Sequence, residues 1–173
     1  MINSRKEAFK LLQNLGAPPR LIRHLELVSE AADELIGSLE SLNIPVDKNF
    51  VRLGVVIHDA GKIIHPNEIV EKGSHHEPDG EKLLLKHGVQ AEIARCCLSH
   101  ARYASMTVSF EELLVALSDK LWKGKRVETL ELRIIDAAAK RIGKDRWDLF
   151  EKLDSAFEDI ARLGHDRLSR SQI

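Results

Sequence analysis

The feature that most constrains the fold is a stripe of apolar side chains at helical spacing: Leu21, Leu25, Val28, Ala32, Leu35, Leu39 and Leu42 recur every three or four residues after Pro18 and Pro19. Such a stripe lines one face of a helix and has to be buried against other elements. The prolines suit the first turn of that helix, where their missing N–H has no intrahelical partner. Asn3 or Ser4 can cap a shorter helix before it, ended by Gly16, and Asp47 can cap a third whose face uses Phe50, Val51, Gly54, Val55 and His58. Further helices are expected at residues 75–88, 90–101, around Leu113 to Asp119, and at 128–142. A last one starts near Asp145 and packs through Trp147, Phe150, Leu153, Phe157, Ile160 and Leu163, with His165 in a frayed tail. Residues 60–74, marked by Gly61, Pro66, Asn67 and Gly73, read as a loop with room for one helical turn. No run alternates long enough for a strand, so the expected fold is all-α, a helical bundle.

A chain of 173 residues with 43% hydrophobic content can bury one core, so a single domain spanning 1–173 is expected. The formal net charge of -1 gives no reason to expect non-specific nucleic-acid binding. Cys96 and Cys97 are adjacent and cannot staple distant segments, which fits a reducing compartment; their apolar neighbours make them core residues. The N-terminus has no small-residue cleavage site, and no apolar run approaches membrane-spanning length. A soluble, cytoplasmic protein with no membrane partner is expected.

The polar residues inside this pattern carry the functional signal. The apolar run at 55–62, VVIHDAGK, delivers His58 and Asp59 side by side, and His24 falls within the first stripe. His76 lies in the opening turn of the fourth helix, four residues before Gly80, with His75 as the competing candidate. His100 lies on the apolar side of its helix and Asp119 among Val115, Ala116 and Trp122. Taken singly, a histidine bonded to a backbone carbonyl accounts for each imidazole. Taken together, inward nitrogen and oxygen donors on separate helices are how bundles build metal sites, because an unpaired buried carboxylate is costly. Six such donors suit iron, manganese, cobalt or zinc better than calcium or a thiolate-loving ion, and they could hold one ion or two with a carboxylate bridging.

The order H…HD…H…H…D on a helical scaffold resembles the HD-domain superfamily of metal-dependent phosphohydrolases over about residues 21–125. The resemblance implies an HD-domain-like bundle with its core at about 18–126 and the helices of 127–173 packed on it. It implies that His24 in LIRHLELV, His58 and Asp59 in VVIHDAGK, and Asp119 in ALSDKLW bind a first divalent ion. His76 in HHEPDGEKLL and His100 in CLSHAR match the positions that serve a second ion in dinuclear members. HDAGK is similar to the HD-x-GK form in which the lysine, here Lys62, faces a substrate phosphate; Asp59 and Lys62 are thus the expected catalytic residues. A Gly-Tyr-Pro element is absent, His100 is followed by Ala101, and no Glu-Asp pair follows the HD motif. These departures point away from cyclic-dinucleotide and guanosine-tetraphosphate cleavage and toward the symmetric dinucleoside-tetraphosphate hydrolases.

The implied chemistry answers what a phosphate ester needs, since a divalent cation neutralises anionic oxygens and makes water acidic enough to attack near neutral pH. The expected partner is a small phosphate or nucleotide substrate, and the protein is expected to be a phosphohydrolase. The basic run after Asp119 (Lys120, Lys123, Lys125, Arg126) reads first as a solvated face. The competing expectation is a nucleotide-sensing or protein-interaction module, oligomeric or not, that keeps the metal site without turnover.

Overall fold

The computed structural model describes residues 1–172. Ser4 caps α1 (Arg5–Asn14) by accepting the Glu7 N–H, and Pro19 opens the long helix α2 (Pro19–Ser41). Asp47 accepts from Phe50 N–H at the start of α3 (Lys48–Ile57), and His58 and Asp59 follow directly on its last turn. Two 3-10 turns (Ala60–Ile63 and Pro66–Ile69) lead to α4 (His76–Lys86). The short α5 (Ala91–Ala94) and α6 (Cys96–Arg102) come next, then α7 (Phe110–Leu121), α8 (Glu128–Arg141), α9 (Arg146–Arg162) and α10 (Gly164–Arg170). No strand occurs among the described residues, and the fold is all-α. No helix among them is long and apolar enough to cross a membrane.

α7 is the central helix. A reciprocal cap between Ser109 and Glu112 satisfies two of its N-terminal amides, and every residue from Phe110 to Ser118 is buried. It packs against α2, α3, α6, α8 and α9. The Leu21 stripe of α2 and Val51, Val55 and Val56 of α3 complete the core around it. Each such side chain gains roughly 1.5–3 kcal/mol from burial, which is what lets the bundle tolerate charge at one end.

Two close backbone approaches fix that end. A Cβ on Gly61 would run into the His76 carbonyl, and one on Gly80 would lie 2.8 Å from the Gly61 nitrogen. Only glycine lets the first 3-10 turn and α4 meet in this way, and the meeting brings His76 to Asp59.

Three expectations need correction. Residues 90–101 form two helices, because the chain tightens at Arg95, where the Leu98 N–H bonds to the carbonyl only three residues back. The stripe of the ninth helix does not extend to its ends: Trp147 is 72% exposed and Leu163 lies outside the core, while Leu149, Leu153, Phe157 and Ile160 are buried. The segment containing His165 is ordered as α10, held by the fully buried Arg167, whose guanidinium donates to Glu30, Glu34 and the Ile160 carbonyl.

Candidate metal centre

Five separate elements deliver polar side chains to one end of the bundle. His24 comes from the second turn of α2, the His58 and Asp59 pair from the end of α3, and His76 from the first residue of α4. His100 and Asp119 come from the last turns of α6 and α7. The donor atoms of His24, His58, Asp59 and Asp119 lie within 4.8 Å of one another, as do those of Asp59, His76 and His100. The structure thus brings together all six residues expected as ligands, and Asp59 belongs to both groups.

The two oxygens of Asp59 divide the cluster. Oδ2 faces His24 Nε2 at 3.0 Å, His58 Nε2 at 3.4 Å and the Lys62 ammonium at 2.9 Å. Oδ1 faces His76 Nε2 at 3.3 Å and His100 Nε2 at 3.6 Å. Asp119 joins the first group, its Oδ1 lying 3.2 Å from His58 Nε2. His75, the competing candidate, turns its ring outward with 81% of the side chain exposed.

The imidazoles are held in place from behind. His58 donates Nδ1–H to the Val55 carbonyl at 2.7 Å, and His100 donates Nδ1–H to the Cys96 carbonyl at 2.9 Å. With that proton spent, each neutral ring presents a bare Nε2 lone pair to a carboxylate, a repulsive arrangement unless a proton or a cation lies between them. Burial, with His58 adding to it, pushes His100 down to about 4 against the pull of Asp59 and Asp119, so near neutral pH His100 supplies no such proton. A divalent cation meets the requirement of every donor at once, and the donor set fits one.

Burial raises the Asp59 carboxyl, but His58, Lys62 and hydrogen bonds from His24 and His76 outweigh it and hold the group well below the usual carboxylate range. Burial likewise opposes ionisation of Asp119, and His58 overcomes it. Both are ionised at neutral pH. Cys96 and Cys97 stand outside both donor groups: both are buried, and Cys97 donates to the Ile57 carbonyl.

One residue of the site carries no signal in the sequence. Glu68, on the second 3-10 turn, is buried and accepts the backbone N–H groups of His75 and His76 at 3.0 and 3.1 Å. Its Oε1 also lies 3.5 Å from His76 Nδ1, a buried nitrogen with no hydrogen-bond partner. Glu68 therefore anchors the start of α4 and stands behind His76. The rings of Trp122 and His24 meet in a T-shaped contact with centroids 4.8 Å apart. Of the basic run, Lys120 and Lys123 line the cleft above the cluster, whereas Arg126 is tied to Glu131, Asp154 and Glu158. The cleft encloses about 540 Å³.

Residues 21–140 match the family described as HD domain. A protein of Methanocaldococcus jannaschii, itself described only as uncharacterized, is 29% identical to this chain, with 81% of this chain and 87% of that protein covered. No solved structure matches the chain.

Proposed function

The chain belongs to the HD domain family, which implies the metal-dependent phosphohydrolase superfamily, and from that premise we propose that it hydrolyses a phosphate ester or anhydride of a nucleotide with the aid of two divalent cations. The observation that carries this reading is the convergence of four imidazole Nε2 atoms on the two oxygens of a single carboxylate. In this reading His24, His58, Asp59 and Asp119 would hold one ion, and Asp59, His76 and His100 would hold the other. When bound, such ions neutralise phosphate charge and make water acidic enough to attack near neutral pH.

The protein's own groups do the rest. Lys62, 2.9 Å from Asp59 and mostly buried, stays protonated because Asp59 outweighs the burial that would discharge it. From that position its ammonium meets a phosphate oxygen as a point charge. The backbone-bonded Nδ1 atoms of His58 and His100 keep the rings from turning, so the donors are in place before substrate arrives. Glu68 does the same for His76 by fixing the backbone that carries it.

The test is metal analysis of purified protein together with turnover of p-nitrophenyl phosphate and a nucleotide panel under added manganese, iron, cobalt or zinc. Bound metal and metal-dependent phosphate release are expected. Absence of both overturns the proposal. Bound metal with nucleotide-dependent thermal stabilisation and no turnover favours the sensing module instead.

A further inference from the structure

The four imidazoles of the centre are not braced alike. His58 and His100 each donate Nδ1–H to a backbone carbonyl, and Glu68 stands behind Nδ1 of His76. His24 has no such support: its Nε2 faces Asp59, and its Nδ1 has no hydrogen-bond partner among the described residues. It is also the most open of the four, its side chain 17% exposed where His58 is fully buried and His76 and His100 nearly so. A histidine that binds a metal is ordinarily aimed by a second contact, since a ring free to turn presents its lone pair to the ion only part of the time. The contact that His24 has is aromatic.

Trp122 supplies it, the two rings meeting T-shaped with centroids 4.8 Å apart, closer than the 6.0 Å between His24 and His58. Trp122 directly follows α7, three positions beyond Asp119, and its N–H still bonds back to the Ser118 carbonyl, so helical geometry carries it past the end of the element. One helix end thus delivers both Asp119 and the ring that meets His24, a residue of α2. The turn that follows is pinned from outside: a Cβ on Gly164, the first residue of α10, would run into the backbone of Lys123 and Gly124. Between the helix and that contact the indole has little room to shift.

The indole N–H marks the position as more than core filling. Trp122 is 7% exposed, and its Nε1 is buried with no hydrogen-bond partner among the described residues. Buried indoles usually find an acceptor, and an orphaned donor costs stability that leucine or valine in the same place would not. What an aliphatic side chain lacks is a flat, rigid ring to set against the imidazole.

We propose that Trp122 is a positioning residue for His24: it holds by ring contact an imidazole whose three counterparts are held by polar groups, and so sets the affinity for the ion assigned to His24, His58, Asp59 and Asp119. The inference rests on the two-ion reading and deepens it, naming an aromatic brace that serves one of the two positions.

The experiment compares wild type with Trp122→Leu and with Trp122→Phe, which keeps a ring and drops the N–H. Zinc binding is measured by competition with a chromophoric chelator, and helix content is recorded for each protein. Trp122→Leu is expected to weaken one of two zinc sites by about 10- to 100-fold and to leave the other unchanged, with most of the loss restored in Trp122→Phe. In a His24→Ala background Trp122→Leu is expected to cost nothing further, because a brace with nothing left to hold has no effect of its own. A spectroscopic readout leaves position 122 untouched: Trp122 is one of two tryptophans, the other being the exposed Trp147. In a Trp147→Phe protein the indole emission is expected to change as zinc binds and to stop responding once His24→Ala is added.

Wild-type zinc affinity in Trp122→Leu overturns the proposal, as does a Trp122→Phe protein as weak as Trp122→Leu, a loss that adds to that of His24→Ala, or an emission indifferent to zinc. In each of these cases two zinc ions bound by the wild type leave the two-ion reading standing, whereas a wild type that binds no metal removes both. Should Trp122→Leu lose helix content, the emission titration decides alone.

Discussion

The two sides of Asp59 share one carboxylate and differ in nearly everything else. Oδ2 meets His24, His58 and Lys62, with the second carboxylate of Asp119 close by; Oδ1 meets two histidines and no further acid among its donors. The Oδ2 donors come from α2, from the end of α3 and from α7, three helices packed on one another in the core. The Oδ1 side hangs on the first residue of α4 and the seven-residue α6, and on the Gly61 contact that seats α4. Charge and rigidity both favour the Oδ2 side, so the two positions are expected to bind ions with unequal affinity, Oδ2 the tighter. Asp59 makes them one centre.

That asymmetry can be broken at graded cost. Asp59→Ala removes the shared ligand and is expected to abolish both metal sites, with kcat/KM falling by at least about 10³-fold because charge neutralisation and nucleophile are lost together; equal metal in the variant and the wild type would show the assignment to be wrong. Single removal of His76 or His100 is expected to release one ion while the other stays, whereas His24→Ala or Asp119→Ala is expected to weaken the tighter site. Metal stoichiometry after desalting reads this directly, and identical losses from both sides would erase the distinction.

Gly61→Ala tests the seating of α4. The added methyl meets the His76 carbonyl, so the variant is expected to lose about 1–3 kcal/mol of stability in denaturant melts and to lose the Oδ1-side ion preferentially. Glu68→Gln is subtler: it keeps the shape behind His76 but weakens the hold on the His75 and His76 amides. Metal affinity on the Oδ1 side is expected to fall about 10- to 100-fold, with the Oδ2 side unaffected.

The smallest effect is in pH. Burial lowers proton affinity at His58, but Asp59 and Asp119 outweigh it and raise the group; at His76 burial is likewise outweighed, by Asp59. In the metal-free protein both rings hold protons to higher pH than an ordinary histidine, and an incoming ion has to displace them. Affinity is therefore expected to fall as pH drops through that raised range and to level off above it, with about one proton released per side. His100, held down to about 4, adds none near neutrality. Calorimetry in buffers of different ionisation enthalpy counts the protons, and binding independent of buffer would contradict the scheme.

Much of this centre is legible in the sequence because the donors that converge there interrupt apolar stripes. His24 sits among Leu21, Leu25 and Val28, and His58 and Asp59 end the run from Val55, so helical periodicity alone points them inward. Glu68 is not legible: it acts through backbone amides seven and eight residues further on, from a 3-10 turn that leaves no periodic trace. α10 is hidden for another reason. Its sequence GHDRLSR is almost wholly polar, and it is held by Arg167 reaching Glu30 and Glu34, partners more than 130 residues earlier. Trp147 misleads in the opposite sense, since the stripe of α9 continues past the neighbours that bury it, leaving the indole against Arg146 and Phe150.

The most direct test of the shared-carboxylate centre is anomalous scattering at the metal edge from crystals grown with manganese or zinc. Two peaks are expected, one among His24, His58, Asp119 and Asp59 Oδ2, the other between His76, His100 and Asp59 Oδ1. Peaks elsewhere in the molecule, or none at Asp59, would contradict the account.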